Sequence, residues 1–160
     1  MSNLPHHDAY MQEAVALSRR SLTEGEGGPF GCVVVKDGEI IARGWNQVLT
    51  LNDPTAHAEV VAIRAACAGI NSFQLDGCIL YTSCEPCPMC LGAIYWARPS
   101  AVYFANTRED AAAIGFDDDF IYGELKRPLP ERAIPMVGLD KREAMKVFEA
   151  WNAMEGKPGY

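Results

Sequence analysis

The apolar positions in the first part of the chain predict one helix followed by two strands. Between residues 8 and 23 the apolar residues recur near the 3.6-residue period of an amphipathic helix. Residues 30–36 contain an unbroken apolar run, which is typical of a buried strand. Asp37-Gly38 is a common two-residue hairpin turn, so residues 39–44 are predicted to pair with this strand.

Strands and helices alternate along the rest of the chain. Asp53 followed by Pro54 predicts a helix that runs to about Cys67, because Asp is a good N-cap and proline fits the first helical turn. The later pattern predicts strands at 78–82, 101–105 and 134–139, with helices at 86–98, 108–114 and 140–154. This order predicts an α/β fold: a three-layer α/β/α sandwich with a central five-stranded mixed sheet, in a single domain of residues 1–160.

The composition is that of a folded domain and excludes several other classes of protein. Of 160 residues, 49% are hydrophobic and 22% charged, values that argue against a disordered chain. No apolar stretch approaches the roughly 18 residues of a membrane helix. The first eight residues lack the basic and apolar regions of a secretory signal, so the cytoplasm is the expected location. Lys and Arg total 14 against 21 acidic residues, which disfavours nucleic acid as a partner.

Two short motifs carry candidate chemistry, and each opens a predicted helix. One imidazole and two thiolates are three good zinc ligands, and they leave the fourth tetrahedral position open for water. Two cysteines three positions apart lie on one helical face, and a first helical turn favours their thiolate forms. The motifs that offer these groups are His57-Ala58-Glu59 and Pro86-Cys87-Pro88-Met89-Cys90.

The spacing of the first motif restricts how it can be used. His57 and Glu59 are about 200° apart around a helix, so they share a site only if the helix points its N-terminal end at it. The backbone of Ala58 would then lie close to a bound molecule. Glu59 would not bind the metal; it would take a proton from the activated water and deliver protons to a ring nitrogen and a leaving amine. Together the two motifs match the pattern of zinc nucleobase deaminases.

Two other interpretations of the cysteines stay open at this stage. Cys84 could be the fourth protein ligand of a structural zinc, an arrangement that would leave Glu59 without a role. Cys84 and Cys87 also form a Cys-x-x-Cys pair, which could be a redox site.

At these residues the chain resembles the cytidine-deaminase superfamily and, within it, the small bacterial guanine deaminases. The resembling stretches are 28–31, 52–59, 80–99, 115–118 and 120–122, with a terminal tyrosine at 160. The helix after residue 140 matches poorly. The resemblance implies a cytidine deaminase-like fold and hydrolysis of guanine at C2 to xanthine and ammonia, a step of purine catabolism. It also implies one zinc ion in each subunit.

The resemblance further implies roles for the reacting groups. It assigns the zinc to His57, Cys87 and Cys90, and proton transfer to Glu59. It assigns purine binding and assistance in proton transfer to Asp118. A carboxylate acceptor there suits guanine better than adenine, because the exocyclic amine and N1–H of guanine are donors.

Substrate contacts and assembly are implied in the same way. Asn46 would bind the base, since a buried amide offers both a donor and an acceptor to a purine edge. Phe30 and Trp96 would form walls of the pocket, Ala58 would approach the base through its backbone, and Tyr160 would close the pocket. The resemblance implies a homodimer that exchanges a C-terminal segment of about residues 140–160, so that Tyr160 would serve the neighbouring subunit.

Three functions compete at this stage. The first is a deaminase of free guanine. The second is a zinc deaminase of another substrate, either guanosine or adenosine in a tRNA loop. Two features argue against the tRNA substrate. The tRNA enzymes are expected to have a leucine at the position of Cys84 and more basic residues near the C-terminus, whereas residues 155–160 contain a single lysine. The third is a zinc-binding module without catalysis.

Overall fold

The computed structural model describes residues 7–116 and 118–160. The chain divides into two units, one extending to Asp119 and the other comprising Phe120–Tyr160, and each is described by itself. The first unit contains helices and strands in the order α1 (His7–Glu24), β1 (Gly31–Lys36), β2 (Glu39–Trp45), α2 (Val48–Leu51), α3 (Ala58–Ile70), β3 (Cys78–Cys84), α4 (Pro88–Ala97), β4 (Ala101–Asn106) and α5 (Arg108–Ala113).

The strands form one mixed sheet in the order β2-β1-β3-β4. β1 pairs antiparallel with both β2 and β3, whereas β3 and β4 are parallel. The register places Cys32 of β1 opposite Thr82 of β3, and Tyr81 of β3 opposite Tyr103 of β4. The four predicted strands in this part of the chain are confirmed to within two residues at either end.

Helices pack against both faces of this sheet. Cys32 and Val34 of β1 belong to an apolar cluster with α3 and α4, while Val33 and Val35 contact Leu17 of α1 on the other face. Close packing of α3 depends on Gly44 of β2, where an added Cβ would lie 2.3 Å from the Ala58 carbonyl oxygen. The sheet therefore presents its strand ends to the N-terminal ends of α3 and α4.

The predicted fifth strand, residues 134–139, is wrong. Among the residues that the structure describes, the sheet has four strands, and 134–139 adopt neither strand nor helix. Pro135 has no N–H for a ladder, and the side chains of Val137 and Leu139 are 79% and 88% exposed. Apolar composition alone cannot make a strand where no neighbouring strand supplies hydrogen bonds.

The predicted start of α3 at Asp53 is also wrong. The Asp53 carboxylate accepts hydrogen bonds from the backbone N–H and the hydroxyl of Thr55, at 2.8 and 2.7 Å. This local turn competes with helix formation. The helix begins only at Ala58, with His57 as its N-cap in an extended conformation.

The second unit contains little regular packing of its own. α6 (Asp119–Lys126) begins at the boundary, a 3-10 helix spans Leu129–Glu131, and α7 spans Arg142–Ala153. No residue from 120 to 160 is buried, and apolar side chains such as Phe148 are largely exposed. Over residues 7–116 and 118–160, no helix has the length and apolar character needed to cross a membrane.

Candidate metal and substrate site

Three side chains from the two sequence motifs meet at the ends of α3 and α4. His57 is the N-cap of α3, Cys87 is the N-cap of α4, and Cys90 lies in the first turn of α4. Nδ1 of His57 lies 3.6 Å from the Cys87 sulfur and 3.5 Å from the Cys90 sulfur. The three candidate ligand atoms lie within 4.8 Å of one another, which suits a shared metal ion.

The electrostatics of this group favour a thiolate. A hydrogen bond with Cys90 and a second with His57 lower the pKa of Cys87 to about 4. The pKa of Cys90 is raised, first by its bond to Cys87 and then by burial. The bond to Cys87 also raises the pKa of His57. One thiolate beside an imidazole is therefore already formed at neutral pH.

Glu59 lies in the first turn of α3 and is 6% exposed. Its Oε1 accepts a hydrogen bond from the Thr82 hydroxyl at 3.1 Å, and its Oε2 accepts one from the Cys90 thiol at 3.4 Å. Burial raises the pKa of this carboxyl, because water no longer solvates the charged form. The carboxyl is thus placed next to the ligand group and is readily protonated, as a proton carrier must be.

Cys84 does not belong to the ligand group. Its thiol donates to the carbonyl of Thr107 at 3.5 Å, and burial raises its pKa to about 11. All six cysteines are free. Because this thiol bonds to Thr107 and not to the ligand group, the geometry does not support Cys84 as the fourth ligand of a structural zinc. A thiol with so high a pKa is also a poor redox nucleophile, which disfavours a redox pair.

A cavity of about 560 Å³ opens onto the ligand group within the first unit. Most of its other lining comes from the segment after α1, from α2 and from the segment after α5. The sequence-predicted site residues that line it are Phe30, Asn46, His57, Glu59, Cys87 and Asp118. Cys90 and Ala58 lie directly behind this lining and are fully buried.

Asn46 is held tightly at the wall of the cavity. It is 4% exposed, and its side-chain oxygen accepts a hydrogen bond from the Val48 N–H at 3.2 Å. The buried Ser21 hydroxyl donates in a three-centre bond to the carbonyls of Asn46 and Gly28, at 2.7 and 2.8 Å. With one hydrogen bond already made to its oxygen, the Asn46 amide still has a second lone pair and two N–H donors that it can offer to a base.

An aromatic pair lines this wall, and a tryptophan stacked under an arginine lies outside the cavity lining. Phe30 contacts Phe116 edge to face, with ring centroids 4.9 Å apart. The indole N–H of Trp45 donates to the carboxylate of Glu26, and the Arg20 guanidinium lies 4.0 Å above the Trp45 ring. These contacts attach the segment after α1 to the end of β2.

One predicted substrate residue of the first unit, Trp96, does not line this cavity, and another, Tyr160, belongs to the second unit. Trp96 is on α4, is 64% exposed and is not among the residues lining the cavity. Tyr160 belongs to the second unit and is 66% exposed. Of the aspartate run, Asp118 lines the cavity, whereas Asp117 lies outside the described residues.

Sequence reasoning missed the glycines of the wall and Thr82. A Cβ at Gly27 would lie 2.0 Å from the Asn46 side-chain oxygen, and one at Gly28 would lie 2.8 Å from the Phe116 ring. No local motif identified the role of these glycines, because it depends on residues that are distant in the sequence. The signal for Thr82 was a hydroxyl in a strand whose residues are almost all buried.

The likeness to known proteins extends over nearly the whole chain. Residues 4–106 match the family model of the cytidine and deoxycytidylate deaminase zinc-binding region. The guanine deaminase of Bacillus subtilis (strain 168) is 56% identical over 155 residues, covering 97% of this chain and 99% of that protein. The X-ray structure of guanine deaminase from Bacillus subtilis has a TM-score of 0.93 at 56% identity, covering 96% and 98% of the two chains. The tRNA-specific adenosine deaminase of Aquifex aeolicus (strain VF5) is 43% identical over 96 residues, covering 60% of this chain and 63% of that protein.

Proposed function

Because the chain belongs to the cytidine and deoxycytidylate deaminase family, we propose that it hydrolyses guanine at C2, giving xanthine and ammonia. One observation carries the choice of guanine within the family. The likeness to the Bacillus subtilis guanine deaminase covers 97% of this chain and continues past residue 106, where the family segment ends. The likeness to the tRNA-specific adenosine deaminase covers 60%.

The donor set supports one zinc ion per chain, held by His57, Cys87 and Cys90. One nitrogen and two sulfurs within 4.8 Å of one another are the ligand number and chemistry of a catalytic zinc site with an open position. The low pKa of Cys87 means that one ligand needs no deprotonation at neutral pH. When bound there, zinc supplies a Lewis acid that lowers the pKa of a water molecule.

Glu59 carries the protons of the reaction. Its carboxylate accepts a proton from the attacking water and donates it to the ring nitrogen next to C2. It then transfers the second proton of that water to the departing amine, so that guanine and water become xanthine and ammonia and Glu59 returns to its starting form. The raised pKa of the buried carboxyl suits both acceptance and release.

The wall of the cavity supplies the recognition of the base. The amide N–H groups of Asn46 donate to acceptors on the purine, and the carboxylate of Asp118 accepts from the amine or N1–H of guanine and assists proton transfer. Ala58 is the first residue of α3, so its N–H has no acceptor within the helix and can bind the base. Phe30 stacks against the ring.

The protein acts as a homodimer that exchanges its C-terminal part. The second unit contains many exposed apolar side chains and no buried residue, so it lacks a core of its own. Exposed aromatic residues on α4, Trp96 among them, and on the edge strand β4 provide a further apolar surface for a second copy. Tyr160 would then complete the pocket of the partner. Within each subunit the helices and sheet form a three-layer α/β/α sandwich.

A subunit-mixing experiment tests this exchange. Glu59→Ala and a variant lacking Tyr160 are expected to be inactive separately. Co-expressed with different tags and purified as a mixed dimer, they regain activity at one of the two pockets, because the intact Glu59 and the intact Tyr160 meet there. A mixed dimer that stays inactive would rule out exchange, and a monomer in light scattering would rule out the assembly itself.

Ammonia release from guanine, guanosine, adenine and an adenosine-containing tRNA loop tests the proposed activity. The zinc-loaded protein is expected to act on guanine, and Glu59→Ala to lose turnover while it retains zinc. Guanosine is the second candidate, because the cavity of the first unit is larger than a purine base requires. Turnover of intact guanosine or of tRNA without turnover of guanine would show that guanine is not the substrate. Activity that persists in Glu59→Ala would overturn the mechanism.

The free state of all six cysteines agrees with a reducing compartment, and the cytoplasm is the proposed location. Conversion of guanine to xanthine would assign the protein to purine catabolism.

A further inference from the structure

Thr82 places a hydroxyl on a face of β3 whose preceding members pack in an apolar cluster. It lies in β3, is 1% exposed and pairs with Cys32 of β1. Alternate residues of a strand share a face, and Cys78 and Leu80 on the same face belong to the apolar cluster beneath α3 and α4. A hydroxyl in such surroundings requires a hydrogen-bond partner.

The partner of this hydroxyl is the carboxyl of Glu59. Thr82 donates to Oε1 at 3.1 Å, while Oε2 lies 3.4 Å from the Cys90 sulfur, beside the ligand group. The two oxygens of one carboxyl are therefore in different positions, one held by the sheet and the other directed at the reacting centre. When Cys90 is ionised as a ligand it has no proton to donate, and the bond from Thr82 to Oε1 remains.

We propose that Thr82 is a positioning residue for Glu59. Its hydroxyl fixes the carboxyl by Oε1, so that Oε2 is held in the orientation in which it exchanges protons with water and purine. The inference rests on the function proposed above. Thr82 itself does not contact the substrate in this proposal. Loss of its hydroxyl should therefore lower kcat and leave KM nearly unchanged.

A series of three variants separates this role from a purely structural one. Thr82→Val keeps the branched shape and removes the hydroxyl, while Thr82→Ser keeps the hydroxyl. Tyr81→Phe is the matched control, because it removes one hydroxyl from the adjacent residue, whose side chain bonds to His7 on the other face of the sheet.

Thr82→Val is expected to lower kcat for guanine by about 10- to 100-fold, the factor associated with one hydrogen bond to a charged group. KM is expected to stay within about twofold, with zinc content as in the wild type. Thr82→Ser is expected to restore most of the turnover, and Tyr81→Phe to leave both constants unchanged. An unchanged kcat in Thr82→Val, a rise in KM alone, or equal losses in the valine and serine variants would each overturn the proposal.

A double-mutant cycle gives a second readout that does not depend on the substrate. Thr82→Val and Glu59→Ala, which remove the donor and the acceptor of this bond respectively, are compared singly and together by urea unfolding at fixed zinc content. Coupled residues shift the urea midpoint non-additively, whereas additive shifts would overturn the hydrogen bond itself. If the wild type did not act on guanine, the proposed function would fail, and this cycle would still decide whether Thr82 holds Glu59.

Discussion

The two ends of the cavity are built in different ways. At the ligand end, His57, Cys87 and Cys90 lie within one turn of a helix start, and their helices are packed into the apolar core. At the wall end, Asn46 is fixed by hydrogen bonds to Ser21 and Phe30, which are distant in the sequence, and to the nearby Val48. The comparison shows that the chemistry depends on local helix geometry, whereas recognition depends on tertiary contacts made by α1. Each end therefore fails in its own way when altered.

The largest effect is expected from Cys90→Ser at the ligand end. Loss of a direct ligand should lower zinc affinity by more than about 100-fold, the upper value for changes in outer-shell partners. Activity should disappear with the metal. Competition with a fluorescent zinc chelator measures the affinity.

Cys84→Ser is the matched control for this change. Cys84 also lines the cavity but bonds to the carbonyl of Thr107 outside the ligand group, so its loss should leave zinc affinity within about threefold. Equal loss of zinc in both variants would mean that Cys84 is a fourth ligand beside His57, Cys87 and Cys90. The ligand end would then not be confined to the two helix starts.

Gly27→Ala should have the next largest effect, and it acts on the wall. The new Cβ would lie 2.0 Å from the Asn46 side-chain oxygen and 2.8 Å from the Asn46 carbonyl oxygen, so this residue must move. We expect KM for guanine to rise by at least about 10-fold, the factor for about 1.4 kcal/mol of lost binding, with zinc affinity unchanged. Steady-state kinetics and the chelator assay measure the two effects.

Gly69→Ala provides the comparison for that variant. An added Cβ there meets no atom within 4 Å, and Gly69 lies inside α3, where alanine is the better helix former by about 0.5–1 kcal/mol. It should keep the wild-type KM and raise Tm slightly. A wild-type KM in Gly27→Ala would show that Asn46 does not recognise the base.

The smallest effect is expected from Glu59→Gln, measured as stability of the metal-free protein. Burial raises the pKa of Glu59 above its unfolded value, so its charge destabilises the fold as pH rises from about 4.3 through the folded pKa. Glutamine cannot ionise, so we expect the Tm of the metal-free variant to exceed that of the metal-free wild type at pH 8. The gain should vanish near pH 4.

The control for this measurement is Glu149→Gln, an exposed residue of α7, which should change Tm little at either pH. If Glu59→Gln lowered Tm at pH 8, the buried charge of Glu59 would stabilise the fold. The ligand end would then depend on side-chain hydrogen bonds, as the wall end does at Asn46.

The same division explains what the sequence could predict. The alternation of strands and helices predicted β1 to β4 closely, and the two motifs predicted the residues that the structure brings together at the starts of α3 and α4. Both signals lie within a few adjacent residues. The start of α3 was misplaced because the side chain of Asp53 closes its own turn with Thr55.

The wall and the positioning hydroxyl could not be predicted in that way. Ser21 and Asn46 are 25 positions apart, and Glu59 and Thr82 are 23 positions apart, so neither pairing leaves a local pattern. The predicted strand at 134–139 failed for the opposite reason. Its composition was suitable, but a strand also needs a neighbour, which composition does not provide.

The N-caps of α3 and α4 have a consequence for how the protein depends on its surroundings. His57 and Cys87 occupy positions where Ser, Thr or Asp would normally bond to the helix, and neither makes a side-chain capping bond. Each helix therefore forgoes about 1 kcal/mol of capping energy. Metal that binds only the folded chain offsets this deficit in proportion to its free concentration. The abundance of folded protein in a cell would then follow the supply of zinc. A residue that caps better at either position would stabilise the helix without metal but would remove a metal ligand.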